Sequence, residues 1–299
     1  MLYSKEEFKS RYQSLLNACK QYLFFSSSRV YAQSQEPINE LSDRLLDVCQ
    51  DKTFLCSGEY SLTKAQQEDI LRSSNQKNWV IIRPYKTYGN SRLQLGVLEM
   101  EQWLYRAVTN KTVVIPGCIG NLHTSLTDSR DTARILLRIA GDETLNGEIF
   151  QIANPERITW YQIVQVYSEC IEKNLGHQLK VRYVKDTSDL ELLFNNRYRI
   201  QYDGLVNRIF DDSKIISLMG KDFCWTSVQQ GLSQSMELAL IHNASKSCSN
   251  FSVEGLYDKY TGEFSDITKI PGNKNRLQYL MHRLLSEKII HQAKSLIFY

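Results

Sequence analysis

The stretch Tyr22-Leu23-Phe24-Phe25-Ser26-Ser27-Ser28-Arg29-Val30-Tyr31 decides the fold of this chain. Four apolar residues closed by three serines read as a short, fully buried strand that ends in a polar turn, as strands of parallel sheets do. Outward from it, Tyr60-Ser61-Leu62-Thr63-Lys64 opens a helix that runs to Arg72. A second apolar strand, Trp79 to Ile82, leads into Arg83-Pro84-Tyr85-Lys86-Thr87-Tyr88-Gly89. Upstream, Ser4 and Glu7 form a capping box for a helix from Ser4 to Gln21, with Phe8, Tyr12, Leu15, Leu16 and Cys19 on its apolar face. This helix–strand alternation predicts an α/β protein with a parallel sheet. Such sheets place their sites beyond the strand ends, where the serine run stands.

Past Gly89 the periodicity predicts a long helix from Leu93 to Thr109, with Leu93, Val97, Met100, Leu104 and Val108 on one face. It also predicts a strand from Thr112 to Ile115, a helix from Asp128 to Ala140 and a strand from Glu148 to Ala153. A helix capped by Thr159 reaches about Lys173, a strand covers Leu179 to Val184, and helices cover Ser213 to Met219 and Ser227 to Ile241. The tail from Pro271 repeats Leu277, Leu280, Met281, Leu284, Leu285, Ile289, Ala293 and Leu296 at helical spacing, with Lys274, Arg276, Arg283, Lys288 and Lys294 against the single acid Glu287. It reads either as a basic amphipathic helix for a membrane surface or partner, or as a terminal helix packed on its own domain; the second is the expectation.

Composition bounds the function. The chain has 299 residues, 42% hydrophobic and 23% charged, an ordinary globular balance. A net charge of +3 is too small to argue for nucleic acid. No apolar run approaches the ~20 residues of a membrane span, and Met1-Leu2-Tyr3-Ser4 begins no apolar signal region. Seven Cys without a Cys-x-x-Cys fit a reducing cytoplasm, and the five His show no metal-ligand spacing, so no metal is expected.

Tyr60 and Lys64 lie four apart and share a helix face. A phenol has an unperturbed pKa near 10, and a nearby ammonium lowers it by favouring phenolate. Such a tyrosine exchanges a proton with a substrate hydroxyl, which must lose its proton as hydride leaves its carbon. The pair suits oxidation of a substrate hydroxyl.

The serine run, Tyr60-x-x-x-Lys64 and Arg83-Pro84-x-x-x-Tyr88-Gly89, in that order, resemble the extended short-chain dehydrogenase/reductase family, the NAD-dependent nucleotide-sugar epimerases and dehydratases. Gly147-Glu148-Ile149-Phe150-Gln151-Ile152, Ile158-Thr159-Trp160 and Phe210-Asp211-Asp212-Ser213-Lys214 continue the resemblance, which runs from about Ser4 to Leu240. It implies NAD or NADP as cofactor and a nucleotide-linked sugar as substrate, in surface polysaccharide synthesis. Aligning Val30-Tyr31 with the family's Val-Tyr puts Ser27 at the catalytic Ser/Thr position, beside Tyr60 and Lys64 as catalytic residues. Tyr60, Lys64 and Pro84 would face the cofactor, with Lys64 on the nicotinamide ribose. Ser28 and Arg29 stand where dehydratases carry Asp-Glu, which argues against 4,6-dehydration and leaves epimerisation, oxidation or reduction. Lys86 stands where the family carries an Asn that meets the diphosphate or sugar. Ser28, Arg29 and Lys86 are therefore the expected substrate residues.

In that family a strand and a Gly-rich loop come first, holding the pyrophosphate on backbone amides and a helix N-terminus. The 14 Gly here are dispersed, and none forms such a loop after a first strand. The expectation is a partial, N-terminally truncated Rossmann-like parallel sheet with a smaller C-terminal α/β substrate domain. Residues 1–90 would be the remaining catalytic half, 91–245 would complete the Rossmann-like part and bind substrate, and 246–299 would be a tail. A homodimer or a complementing N-terminal chain is the expected protein partner. The competing reading is a non-catalytic remnant that binds a sugar nucleotide or a partner protein; a single-domain reductase fits less, given the long region after Gly89. Without the glycine loop, the isolated chain should bind no NAD at micromolar concentration, and calorimetry that found such binding would refute this.

Overall fold

A computed structural model describes residues 4–185, 197–242, 248, 250–286 and 289–290. In chain order its main elements are α1 (Lys5–Asn17), β1 (Tyr22–Phe25), α2 (Tyr60–Arg72), β2 (Trp79–Pro84), α3 (Met100–Val108), β3 (Val113–Pro116) and α4 (Ser129–Ile139). They continue with β4 (Ile149–Ile152), α5 (Trp160–Leu175), β5 (Val181–Val184), α6 (Ser213–Met219), α7 (Val228–Ile241), α8 (Phe251–Thr261) and α9 (Asn273–Leu284). The caps read from sequence are in place: Ser4 accepts from the Glu7 amide, and Thr159 forms a capping box with Gln162.

β1, β2 and β4 form a parallel sheet in the order β1-β2-β4, with Phe25 opposite Ile82 and Ile82 opposite Phe150. Alternate residues of β2 serve opposite faces. Trp79 and Ile81 pack with Phe8, Leu16, Phe24 and Leu71, under α1 and α2. Val80 and Ile82 pack with Ile135, Ile139, Phe150 and Ile215, under α4 and α6. Helices on both faces explain why these strands read as unbroken apolar runs. Among the described residues β1 pairs on one edge only, and Phe25 at its end is 47% exposed.

A second and larger core joins α3, β3, α5 and α7, where Trp103 stacks on Tyr167 at 4.8 Å and β3 pairs in parallel with β5. The long helix expected from Leu93 to Thr109 is a correction: helix spans Met100–Val108 only. Gly96 sits at φ +63°, and Leu95 and Leu98 bridge each other, so the apolar residues before Met100 are buried from a folded-back loop. The tail packs on its own protein. α8 and α9 lie together, the Tyr279 hydroxyl donates to Asp258 at 2.7 Å, and Arg106 of α3 pairs with Glu254 at 2.7 Å. Tyr279 is the buried anchor of α9, whereas Leu277 and Leu284 of the expected apolar face are exposed; Ala293 and Leu296 lie outside the described residues.

One buried ion pair ties α2 to the sheet. The Glu68 carboxylate accepts from Arg83 Nε at 2.9 Å and Nη2 at 2.6 Å, from Arg44 Nη1 at 3.4 Å, and from the Ser26 hydroxyl. Both Glu68 and Arg83 are buried. Removing one partner strands the other charge away from water. Glu68→Ala is therefore expected to destabilise the fold by about 3–5 kcal/mol, read by urea unfolding; a loss under about 1 kcal/mol would place the pair among exposed bridges instead.

Candidate active site

The three serines go three ways. Ser26 donates to Glu68, and Ser28, fully buried, donates to the Arg83 carbonyl at 2.7 Å. The Ser27 hydroxyl, between them, accepts from the Arg29 amide at 3.2 Å and shares a cavity wall with Tyr60. Alternation along an extended backbone separates Ser26 from Ser27, and the helical turn starting at Ser28 takes the third away. Ser27 and Tyr60 open on a cavity of about 280 Å³ lined also by Arg29, Pro84, Lys86, Arg92, Glu99, Arg199 and Asp203. Of the expected substrate residues, Arg29 and Lys86 line this cavity; Ser28 does not, because its hydroxyl is spent inside the fold.

Tyr60 and Lys64 sit one turn apart at the start of α2, capped by Glu59. Burial raises the Tyr60 phenol above its usual value, against the opposing charges of Arg29 and Arg92. This departs from the expectation that Lys64 lowers it. The Lys64 ammonium donates to the Phe25 carbonyl at 2.9 Å and stands 5.9 Å from the Tyr60 ring centre, so Arg29, 5.4 Å over that ring, is the stronger neighbour. Burial lowers Lys64 itself, with Glu68 opposing. A second, apolar groove of about 560 Å³, lined by Phe25, Tyr60, Lys64 and Pro84 together with Phe8 and Leu23, adjoins the first.

Lys86 holds the least ordinary backbone in the site, φ +36°, where a side chain costs about 1 kcal/mol or more. Its buried ammonium lies 3.4 Å from Asp203, donates to the Tyr85 hydroxyl and faces the Trp160 ring at 5.6 Å. Burial lowers it to about 8, with the Asp203 charge opposing. Burial pushes the Asp203 carboxyl up, but Lys86, Arg29 and Arg208 outweigh it and hold the group well below the usual carboxylate range. Asp203, Glu99 and Arg199 escape a reading of the sequence because they belong to no motif; Asp203 lies on one irregular turn, Ile200–Gly204, far along the chain. Glu68 carried a signal, continuing the Tyr60–Lys64 spacing on the buried face of α2.

Residues 12–153 match the family model described as NAD dependent epimerase/dehydratase family. No curated protein matches the chain by sequence. Among solved structures, MoeE5 in complex with UDP-glucose and NAD is 16% identical, with 79% of this chain and 71% of that chain covered and a TM-score of 0.58. UDP-N-acetylglucosamine 4-epimerase from Methanobrevibacter ruminantium M1, in complex with UDP-N-acetylmuramic acid, is 16% identical over 79% of this chain and 68% of that one, TM-score 0.57. UDP-glucuronic acid 4-epimerase from Bacillus cereus, in complex with UDP-glucuronic acid and NAD, is 19% identical over 78% and 68%, TM-score 0.56. At these identities the likeness is one of fold.

The Lys86 site yields a direct measurement. In lysine-labelled protein the Lys86 ¹³Cε shift should titrate with a midpoint of about 8, charged below and neutral above; a midpoint at the ordinary 10.5 would contradict the burial of its ammonium.

Proposed function

With residues 12–153 matching the NAD dependent epimerase/dehydratase family model, we propose that this chain carries the proton-transfer and sugar-binding part of a nucleotide-sugar epimerase or oxidoreductase. The observation that carries the reading is that Ser27, at a parallel-strand end, and Tyr60, at a helix start, line one cavity, with Lys64 one helical turn from Tyr60. Tyr60 takes the proton of the sugar hydroxyl, and Ser27 holds the same oxygen. Arg29 over the Tyr60 ring favours the phenolate that must form. Pro84 walls both the cavity and the adjoining groove.

The groove residues fit the nicotinamide-ribose end of a dinucleotide: Phe25, Tyr60 and Pro84 offer apolar walls, and Lys64 keeps donors beyond the one spent on Phe25. NAD or NADP, when bound, supplies the hydride acceptor. No glycine-rich strand–loop–helix to hold a pyrophosphate occurs among the described residues. The reading therefore includes a partner for the open edge of β1, either a second copy or a complementing chain with the dinucleotide-binding strands. The division into residues 1–90, 91–245 and 246–299, a cytoplasmic location and a role in surface polysaccharide synthesis belong to the same proposal. The open edge of β1 and the exposed Phe25 favour one alternative, a non-catalytic remnant that binds a sugar nucleotide or a partner protein.

Tyr60→Phe keeps the ring and deletes the proton-transfer group. Assayed on the chain complemented with dinucleotide-binding strands, it should lower kcat by ~10²–10⁴-fold and leave nucleotide-sugar binding nearly unchanged. Retention of more than about a tenth of the turnover would remove Tyr60 from this role, and no turnover by any complemented form would favour the remnant.

A further inference from the structure

Two cation clusters border the cavity beside Ser27 and Tyr60, each organised on carboxylates and each left with a surplus of positive charge; Arg208 and Glu59 of the first stand behind its lining. In the first, the buried Asp203 accepts from the Tyr85 hydroxyl at 3.1 Å and lies 3.4 Å from Lys86 Nζ, 3.7 Å from Arg208 Nε and 3.9 Å from Arg29 Nε. Arg29 also pairs with Glu59 at 2.5 Å. Three cations stand against two acids. In the second, Glu99 pairs with Arg199 and, at 3.6 Å, with Arg92, and accepts from Gln94 at 2.7 Å. Two cations stand against one acid.

Sharing carboxylates fixes the cations in advance of any ligand, so little ordering is left to binding. The Arg29 Nε atom is buried and lacks a hydrogen-bond acceptor, Asp203 being too far at 3.9 Å. A buried donor left without an acceptor costs stability and is satisfied when a ligand brings one. Arg29 lies over the Tyr60 ring, so its acceptor belongs next to the hydroxyl that Tyr60 would deprotonate.

We propose that the sugar taken by this site carries a carboxylate on the carbon neighbouring the reacting part of the ring, held by Arg29 and Lys86, while Arg92 and Arg199 meet the diphosphate. The inference rests on the nucleotide-sugar reading above and specifies its substrate class. A surplus of one charge in the inner cluster matches a carboxylate, whereas a phosphate monoester brings close to two. The guanidinium fork matches the planar carboxylate as well. Asp203 is then a positioning residue that orients both cations.

UDP-glucuronic acid and UDP-glucose differ at this one carbon, and calorimetry with the 299-residue chain compares them. The uronate is expected to bind about tenfold or more tightly, as a charge-assisted hydrogen bond gives. Arg29→Gln and Lys86→Gln should each erase most of that preference, costing the uronate about tenfold more affinity than UDP-glucose, whereas Arg92→Gln should weaken both sugars alike. Circular dichroism checks each fold; if Lys86→Gln does not fold, Arg29→Gln, at a partly exposed position, carries the test alone. Equal affinities in the unaltered chain, or a preference that survives Arg29→Gln, overturns the carboxylate assignment and leaves the nucleotide-sugar reading standing. Binding of neither sugar overturns both.

Discussion

The buried pair of Glu68 and Arg83 is the constraint on which the candidate site depends. Glu68 lies on α2, two turns beyond Tyr60, and Arg83 lies near the end of β2. Ser26, at the end of β1, donates to the same carboxylate, and Arg44 approaches from the preceding loop. One carboxylate thus locks a helix to the ends of two neighbouring strands. A buried charge set of this kind tolerates few alternatives, because any slippage leaves a charge unpaired away from water. Its consequence is local: with Ser26 committed to Glu68 and Ser28 to the Arg83 carbonyl, Ser27 is the serine whose hydroxyl is left for the cavity it shares with Tyr60.

The second constraint comes from far along the chain. Asp203, on the irregular turn Ile200–Gly204, reaches back to Tyr85 and Lys86 just past β2 and to Arg29 just past β1. It holds in place a lysine whose backbone is in the left-handed region and whose ammonium is desolvated, two costs borne at one position. The cavity therefore has one side, with Ser27 and Tyr60, set by α2 and the strand ends, and a charged side set by a later segment that closes over them. Burial keeps these charges strong by excluding water from between them.

The chain by itself determined the α/β class, because β1 and β2 are unbroken apolar runs and their helices carry caps such as Ser4 and Thr159. It determined the positions of Ser27, Tyr60, Lys64, Arg29 and Lys86 as candidates, since each stands in a short segment with local order and spacing. Local order also misled: Leu93, Val97 and Met100 keep helical spacing, yet Gly96 at positive φ folds the first part into a loop whose apolar residues reach the same core. Its place in a motif points Ser28 toward substrate, whereas its hydroxyl turns to the Arg83 carbonyl. Tertiary structure alone decided that Arg29 rather than Lys64 is the main cation on the Tyr60 ring, and that Asp203 and Glu99 organise the cavity. The reason is physical. Periodicity records which residues are buried, but the sign and strength of a charge in a site depend on partners brought near by folding from distant parts of the chain, and on the water that folding removes.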